Sequence, residues 1–276
     1  MNLDSTVSLN NGVKLPWIGF GTFQLPPGDT TYNSVITALK SGYRSIDTAM
    51  IYNNEEDVGR AIRDSEVPRS EIFVTTKVWN SDQGYDKTLR AFAESKKRLA
   101  LDTVDLYLIH WPAQQEFTET WRAMERLQRD GELRAIGVSN FLVHHLETLL
   151  GKAQVTPAVN QIEFHPFLRQ PELIEFCREQ GIQVEAWSPL TRGRFFDHPV
   201  IAGIAAEVGR SPAQVLLRWD LQHQVVTIPR SARQPHIREN SRLFDFELSE
   251  QQMRSLDALD EGKRIGPDPD RFTGTG

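Results

Sequence analysis

The chain has 276 residues, 39% of them hydrophobic and 25% charged, with a formal net charge of −6. That balance fits a soluble globular enzyme and excludes a disordered or fibrous chain, and the interspersed charges exclude the basic stripe of a nucleic-acid surface. One cysteine, Cys177, rules out an internal disulfide; it sits in a helical stretch and reads as a buried small hydrophobe. The start, Met1-Asn2-Leu3-Asp4, lacks the basic and apolar regions of a signal peptide. No run reaches the ~18 apolar residues of a membrane span, so a cytoplasmic location is expected.

Asn10-Asn11-Gly12 between short alternating runs predicts an N-terminal β-hairpin placed to plug one end of a barrel. A short first strand follows at Trp17-Ile18-Gly19-Phe20-Gly21-Thr22. Its Gly19-x-Gly21 is no dinucleotide fingerprint, because Gln24 holds the third glycine position. Helix and strand then alternate. Helices are predicted over 30–41, 55–64 with Asn54 as N-cap, 85–99, 118–129 and about 143–151, then from Pro171, from Pro199 and from Ser211-Pro212. The strands between them are Tyr43 to Asp47, Ile72 to Lys77, Val104 to His110, Ala135 to Asn140, Ala158 to Glu163, Ile182 to Trp187 and Val225 to Pro229. Ser249-Glu250-Gln251-Gln252 is a capping box that opens a last helix ending near Gly262. The closing segments, Gly266 to Asp270 and Thr273 to Gly276, read as a loose loop. No linker interrupts the alternation, which predicts a single (β/α)8 barrel domain over residues 1–276.

Three successive strands end in groups that can carry a charge: Asp47, Lys77 and His110. Parallel strands present their carboxyl ends on one face, so these side chains converge there, with Tyr52 in reach on the loop after Asp47. A phenol is too weak an acid for efficient proton transfer at neutral pH, but an ammonium beside it favours the phenolate. An aspartate holds that ammonium, and a histidine orients a substrate oxygen. The set is a proton donor with tuning partners around a carbonyl. It holds no activated nucleophile and no paired zinc ligands, so no metal is expected. The carbonyl's other equivalent then comes from a cofactor, most simply as hydride from a nicotinamide.

The segments Gly42 to Ala49, Tyr52-x-Asn54-Glu55, Val74 to Trp79, Leu106 to Pro112, Ile136 to Phe141, Asn160 to Pro166, Ala186 to Leu190 and Val226 to Pro229 resemble, in order, the signatures of the aldo-keto reductases. The pattern is similar to that of the short bacterial members, the glyoxal/methylglyoxal and 2,5-diketo-D-gluconate reductases. The resemblance implies reduction of small aldehydes, dicarbonyls and ketones by NADPH, with Tyr52 giving the proton, Lys77 and Asp47 tuning it and His110 orienting the substrate. It also implies that Trp187 stacks on the nicotinamide while Ser139, Asn140 and Gln161 hold its carboxamide. Further cofactor contacts are implied for Gly21, Thr22, Asp47, Ser188 and Leu190. Phe23, Trp79 and Trp111 are implied to line the substrate mouth, and a monomer is expected.

The adenosine end departs from the family pattern. In Arg230-Ser231-Ala232-Arg233-Gln234-Pro235-His236-Ile237-Arg238-Glu239-Asn240, Arg230 replaces a lysine and His236 an arginine, while Ser231, Arg233, Glu239 and Asn240 remain as contacts. An imidazole meets a 2′-phosphate less well than a guanidinium. NADPH is therefore expected with a weakened preference over NADH; the alternative is that Arg230 alone supplies the discrimination and His236 plays no part. Two rival readings make Lys77 a Schiff-base nucleophile or the chain a non-catalytic regulator that binds cofactor.

Overall fold

The computed structural model describes residues 1–113 and 116–274. A hairpin of β1 (Thr6–Ser8) and β2 (Lys14–Pro16) comes first, paired antiparallel. Its Leu9 and Leu15 are buried in the core, and Asn10 and Asn11 donate to the carbonyls of Pro157 (3.0 Å) and Arg134 (3.0 Å). Those carbonyls lie at the amino ends of two barrel strands, so the hairpin covers that end as expected.

Eight parallel strands follow: β3 (Phe20–Gly21), β4 (Ser45–Asp47), β5 (Phe73–Val78), β6 (Val104–Ile109), β7 (Leu133–Ser139), β8 (Val159–Glu163), β9 (Gln183–Trp187) and β10 (Val226–Thr227). They pair in chain order, and a parallel bridge between Ile18 and Thr227 joins the last to the first. Two glycines make that closure possible. A Cβ on Gly19 would stand 2.9 Å from Ile228 Cγ2, and one on Gly21 would stand 3.0 Å from the Ile228 carbonyl oxygen. β5 and β6 are buried along their whole length, as parallel strands covered on both faces are.

The helices α1 (Asp29–Lys40), α2 (Glu55–Asp64), α3 (Tyr85–Leu99), α4 (Phe117–Arg129), α5 (Val143–Leu150), α6 (Pro171–Glu179), α7 (Pro199–Val208) and α8 (Pro212–Gln222) lie within two residues of expectation where both ends were predicted. In α3 the buried positions Thr88, Ala91, Phe92, Ser95 and Leu99 trace one face at helical spacing. Ser211 caps α8 and Ser249 caps α10 (Glu250–Asp257), each through a capping box with a glutamine three residues on.

Four details differ from the sequence reading. A short helix, α9 (Gln234–Asn240), was not foreseen, since seven residues with Ile237 as the one apolar side chain show no period. The helix α10 stops at Asp257, short of Gly262. Asn54 occupies the N-cap position of α2 without capping it; its Nδ2 donates to the Thr22 (3.1 Å) and Leu25 (3.4 Å) carbonyls instead. The C-terminal segment is no loose loop. Glu163 accepts from the backbone N–H groups of Ile265 (2.5 Å) and Gly266 (3.1 Å), and Phe272 packs on Trp111 with ring centroids 4.3 Å apart. Thr275 and Gly276, the end of that segment, lie outside the described residues.

Candidate active site

Asp47 ends β4, Lys77 lies one residue inside the end of β5, and His110 follows β6 directly, so all three meet at the carboxyl face. Tyr52 closes a 3-10 turn, Met50–Tyr52, and Asn53 behind it is left-handed (φ 55). This loop is pinned from inside. Thr48 Oγ1 donates to Asn54 Oδ1 (2.7 Å), and the Asn54 amide reaches the neighbouring segment at Thr22.

Lys77 is wholly buried. Its Nζ donates to the two Asp47 oxygens at 2.7 and 2.8 Å, to the Thr48 carbonyl at 2.9 Å and, at 3.5 Å, to the Tyr52 hydroxyl. Such an ammonium is no accessible Schiff-base nucleophile. Burial pulls its proton affinity down, but Asp47 first, then Tyr52, more than offset this, and Lys77 stays charged. The Tyr52 hydroxyl stands 3.5 Å from Lys77 Nζ and 3.5 Å from His110 Nε2.

The balance at Tyr52 corrects the expectation of a lowered pKa. Burial pushes the phenol up to about 12, Lys77 pulls it back, and Asp47 opposes Lys77. At neutral pH the group is therefore protonated. His110 is held neutral, its pKa driven well below 6.5 by burial and then by the Lys77 charge. The burial comes from aromatic walls: Trp79 meets its ring edge-on at 5.0 Å, and Trp111 lies nearly parallel at 6.5 Å.

Asp47, Tyr52 and His110 open into a cleft of about 1180 Å³. Phe23, Trp79 and Trp111 line it, together with Ile51 and Phe272. So do Gly21, Ser139, Asn140, Gln161, Trp187, Ser188 and Leu190, and at the far end Arg230, Ser231, Arg233, His236, Glu239 and Asn240. Thr22 is the expected contact that the structure sets behind the wall, fully buried with its hydroxyl on the Asp47 carbonyl (2.9 Å).

Several lining groups had no sequence signal: Gln24, the first turn of α8 at Ser211 to Ala213, and the tail at Ile265 to Pro267. Arg192 also lines the cleft. Asn140, Ser188, Thr191 and Arg192 all have φ between 52 and 64, a left-handed backbone that costs roughly 1–3 kcal/mol per residue and gathers at functional sites.

The far end is cationic. Arg230 donates to the neutral Gln24 (3.3 Å), and burial, then the nearby Arg192 charge, lower its proton affinity. A planar cation held beside another cation is suited to an anionic group.

Among the described residues, the one grouping with metal-ligand atoms close together is His144, His145 and Asp270. His145 Nδ1 accepts the Leu142 N–H (3.2 Å), so the neutral ring carries its proton on Nε2, which faces Asp270 at 3.5 Å. With His144 Nε2 at 3.0 Å from the same oxygen, the cluster ties the tail to α5.

Comparison with known proteins decides the family, since residues 17–261 match the Aldo/keto reductase family. The chain belongs to the aldo/keto reductase family. It is 56% identical over 271 residues to the glyoxal reductase of Bacillus subtilis (strain 168), covering 98% of each chain. Among solved structures it is similar to an aldo-keto reductase from a Medee basin deep-sea metagenome, with TM-score 0.95, 46% identity and coverage of 97% of this chain and 99% of that one. A variant of Gox0644 in complex with NADPH gives TM-score 0.93 and 42% identity, covering 97% and 98%. This aldo-keto reductase thus has the (β/α)8 barrel that the signatures implied. Among its described residues no single helix is long and apolar enough to cross a membrane.

Proposed function

We propose that this aldo-keto reductase, acting as one domain, reduces small aldehydes, dicarbonyls such as methylglyoxal, and ketones to alcohols with NADPH. The observation that carries this is the Tyr52 hydroxyl, 3.5 Å from both Lys77 Nζ and His110 Nε2 at the floor of an aromatic-walled cleft. The glyoxal reductase of B. subtilis and the NADPH-bound relative support it. The cleft suits the dinucleotide, with amide and hydroxyl groups (Ser139, Asn140, Gln161) and Trp187 near the acid–base set and cations (Arg230, Arg233, Arg192) at the far end.

Bound NADPH supplies hydride for the carbonyl carbon. Tyr52, protonated at neutral pH, gives its proton to the carbonyl oxygen as negative charge develops there. Lys77 stabilises the phenolate left behind, and Asp47 keeps Lys77 charged and aimed. Neutral His110 donates a hydrogen bond to the same oxygen and so orients the substrate. Phe23, Trp79, Trp111 and Phe272 exclude water and favour small or flat carbonyls. A cytoplasmic monomer completes the proposal.

The test follows loss of the reduced-nicotinamide absorbance with methylglyoxal as substrate. Tyr52→Phe is expected to lower turnover by about 100-fold or more, the usual weight of a positioned acid. Cofactor binding without turnover of any aldehyde or ketone would instead support the non-catalytic regulator. With His236 rather than an arginine at the cationic end of the cleft, the NADPH preference over NADH is expected to stay below about a thousandfold, roughly 4 kcal/mol.

A further inference from the structure

Glu185 takes no part in the acid–base set, yet it stands in the middle of β9 at 1% exposure. In the parallel ladder it is the register partner of Gln161, which pairs in turn with Ser139. Three polar side chains thus lie side by side at the carboxyl end of the barrel. A carboxyl group buried there needs hydrogen-bond partners. Its partner is Gln161, whose Nε2 lies 2.6 Å from Glu185 Oε2 and 2.8 Å from Asp47 Oδ2.

A side-chain amide has two N–H donors, and both are spent on these carboxyl oxygens. The flipped amide would set its carbonyl oxygen against two carboxyl groups, so electrostatics alone dictates the orientation. Gln161 lines the cleft, and among the described residues its Oε1 takes no hydrogen bond. What Gln161 offers the cleft is therefore an acceptor only.

The neighbouring acceptors, unlike Gln161 Oε1, are already engaged. Asn140 Oδ1 accepts from Trp187 Nε1 (2.8 Å), and its Nδ2 donates to the His110 carbonyl (2.9 Å) and to Ser139 Oγ (3.1 Å). The Ser139 hydroxyl donates its proton to the Gln161 carbonyl (2.9 Å).

We infer that Glu185 is a positioning residue that fixes the Gln161 amide, so that Gln161 Oε1 receives an N–H of the nicotinamide carboxamide. The inference rests on the function proposed above. Without the Glu185 acceptor, Gln161 keeps only Asp47, and its amide turns to present N–H as readily as oxygen.

The test measures, by quenching of tryptophan fluorescence, the Kd of NADPH and of its reduced 3-acetylpyridine analogue, in which a methyl group replaces the carboxamide NH2. The wild type is expected to bind NADPH about tenfold more tightly than the analogue, the weight of one hydrogen bond whose buried acceptor is otherwise unmet. Glu185→Leu is expected to bring that ratio within about twofold. Glu185→Gln, which keeps a carbonyl oxygen for Gln161, should hold the ratio within about threefold of the wild type.

A merely structural role would weaken both nucleotides together in Glu185→Leu and leave the ratio near tenfold, which overturns the inference. A ratio near one in the wild type overturns it without recourse to any variant, so the test survives a leucine variant that does not fold. Failure of the wild type to bind either nucleotide would instead sink the proposed function, and the inference with it.

Discussion

Asp47→Asn tests the buried charge pair, because it removes the anion and leaves Lys77 wholly enclosed. In the wild type the ammonium is held by both carboxylate oxygens, at 2.7 and 2.8 Å, and by the Thr48 carbonyl at 2.9 Å. Orphaning one member of a buried pair costs about 3–5 kcal/mol. With an unfolding entropy of roughly 2.1 cal/mol/K per residue, the whole chain gives about 0.6 kcal/mol/K, so the melting temperature should fall by about 5–9 °C. Burial, no longer opposed by Asp47, then drives Lys77 toward its neutral form, and turnover should fall by about 100-fold or more. The assay is a thermal cycle with Asp47→Asn, Lys77→Met and the double variant. If the two charges are coupled, the double variant loses at least about 2 kcal/mol less than the sum of the singles. Additive losses would refute the reasoning, because they would mean that neither charge feels the removal of the other.

Three further outcomes follow from the geometry. Tyr52 is held up to about 12, chiefly by burial. A proton donor works below its pKa, so the rate of carbonyl reduction should stay flat from about pH 7 to 9, and an alkaline limb centred below about pH 9 contradicts the assignment. The same raised value makes its contribution to stability full below about pH 10 and lost as pH rises through about 12. Gly266→Ala should disturb Trp187, since the new Cβ would stand 2.3 Å from the indole Cη2. A cost of about 1–3 kcal/mol and a changed tryptophan emission are expected, and unchanged emission with unchanged NADPH affinity counts against it. Asp270→Ala should release the tail from His144 and His145, raising the KM of the carbonyl and the rate of C-terminal proteolysis. Because His144 and Asp270 are half exposed, stability should change by less than about 1 kcal/mol; a larger loss of stability with an unmoved KM would make the contact purely structural.

The acid–base set was legible because three successive strand-like runs each end in a residue that can carry a charge, and the ends of parallel strands share one face. Glu185 shows the limit of that rule. It stands inside a strand rather than at its end, and nothing local says which face of β9 turns inward. The register pairing with Gln161, a long-range fact, is what sets it directly behind a residue of the cleft wall. The tail shows another limit. Gly266-Pro267-Asp268-Pro269-Asp270 has the composition of a loose loop, and its order comes from Glu163, more than a hundred residues earlier in the chain. Tyr52 was placed correctly but its acidity was not, because the lysine beside it could be read and the depth of burial could not.

The seam of the barrel bears on how the molecule exchanges what it binds. At the seam β3 and β10 have two residues each, and the closure holds through the backbone pairs Thr227 to Trp17, Gly19 to Thr227 and Gly21 to Pro229. A ladder so short is the part of the wall that opens at least cost, so its amides should exchange with deuterated solvent before those of β5 to β7. Gly21, Ile228, Pro229 and Arg230 line the cleft at this same place. The cationic end of the cleft is thus set on one of the short ladders of the sheet, while the Lys77 end is set on a long one. A dinucleotide gripped across both would be held fast at one end and let go at the other, and protection of the seam amides on NADPH binding would report that asymmetry directly.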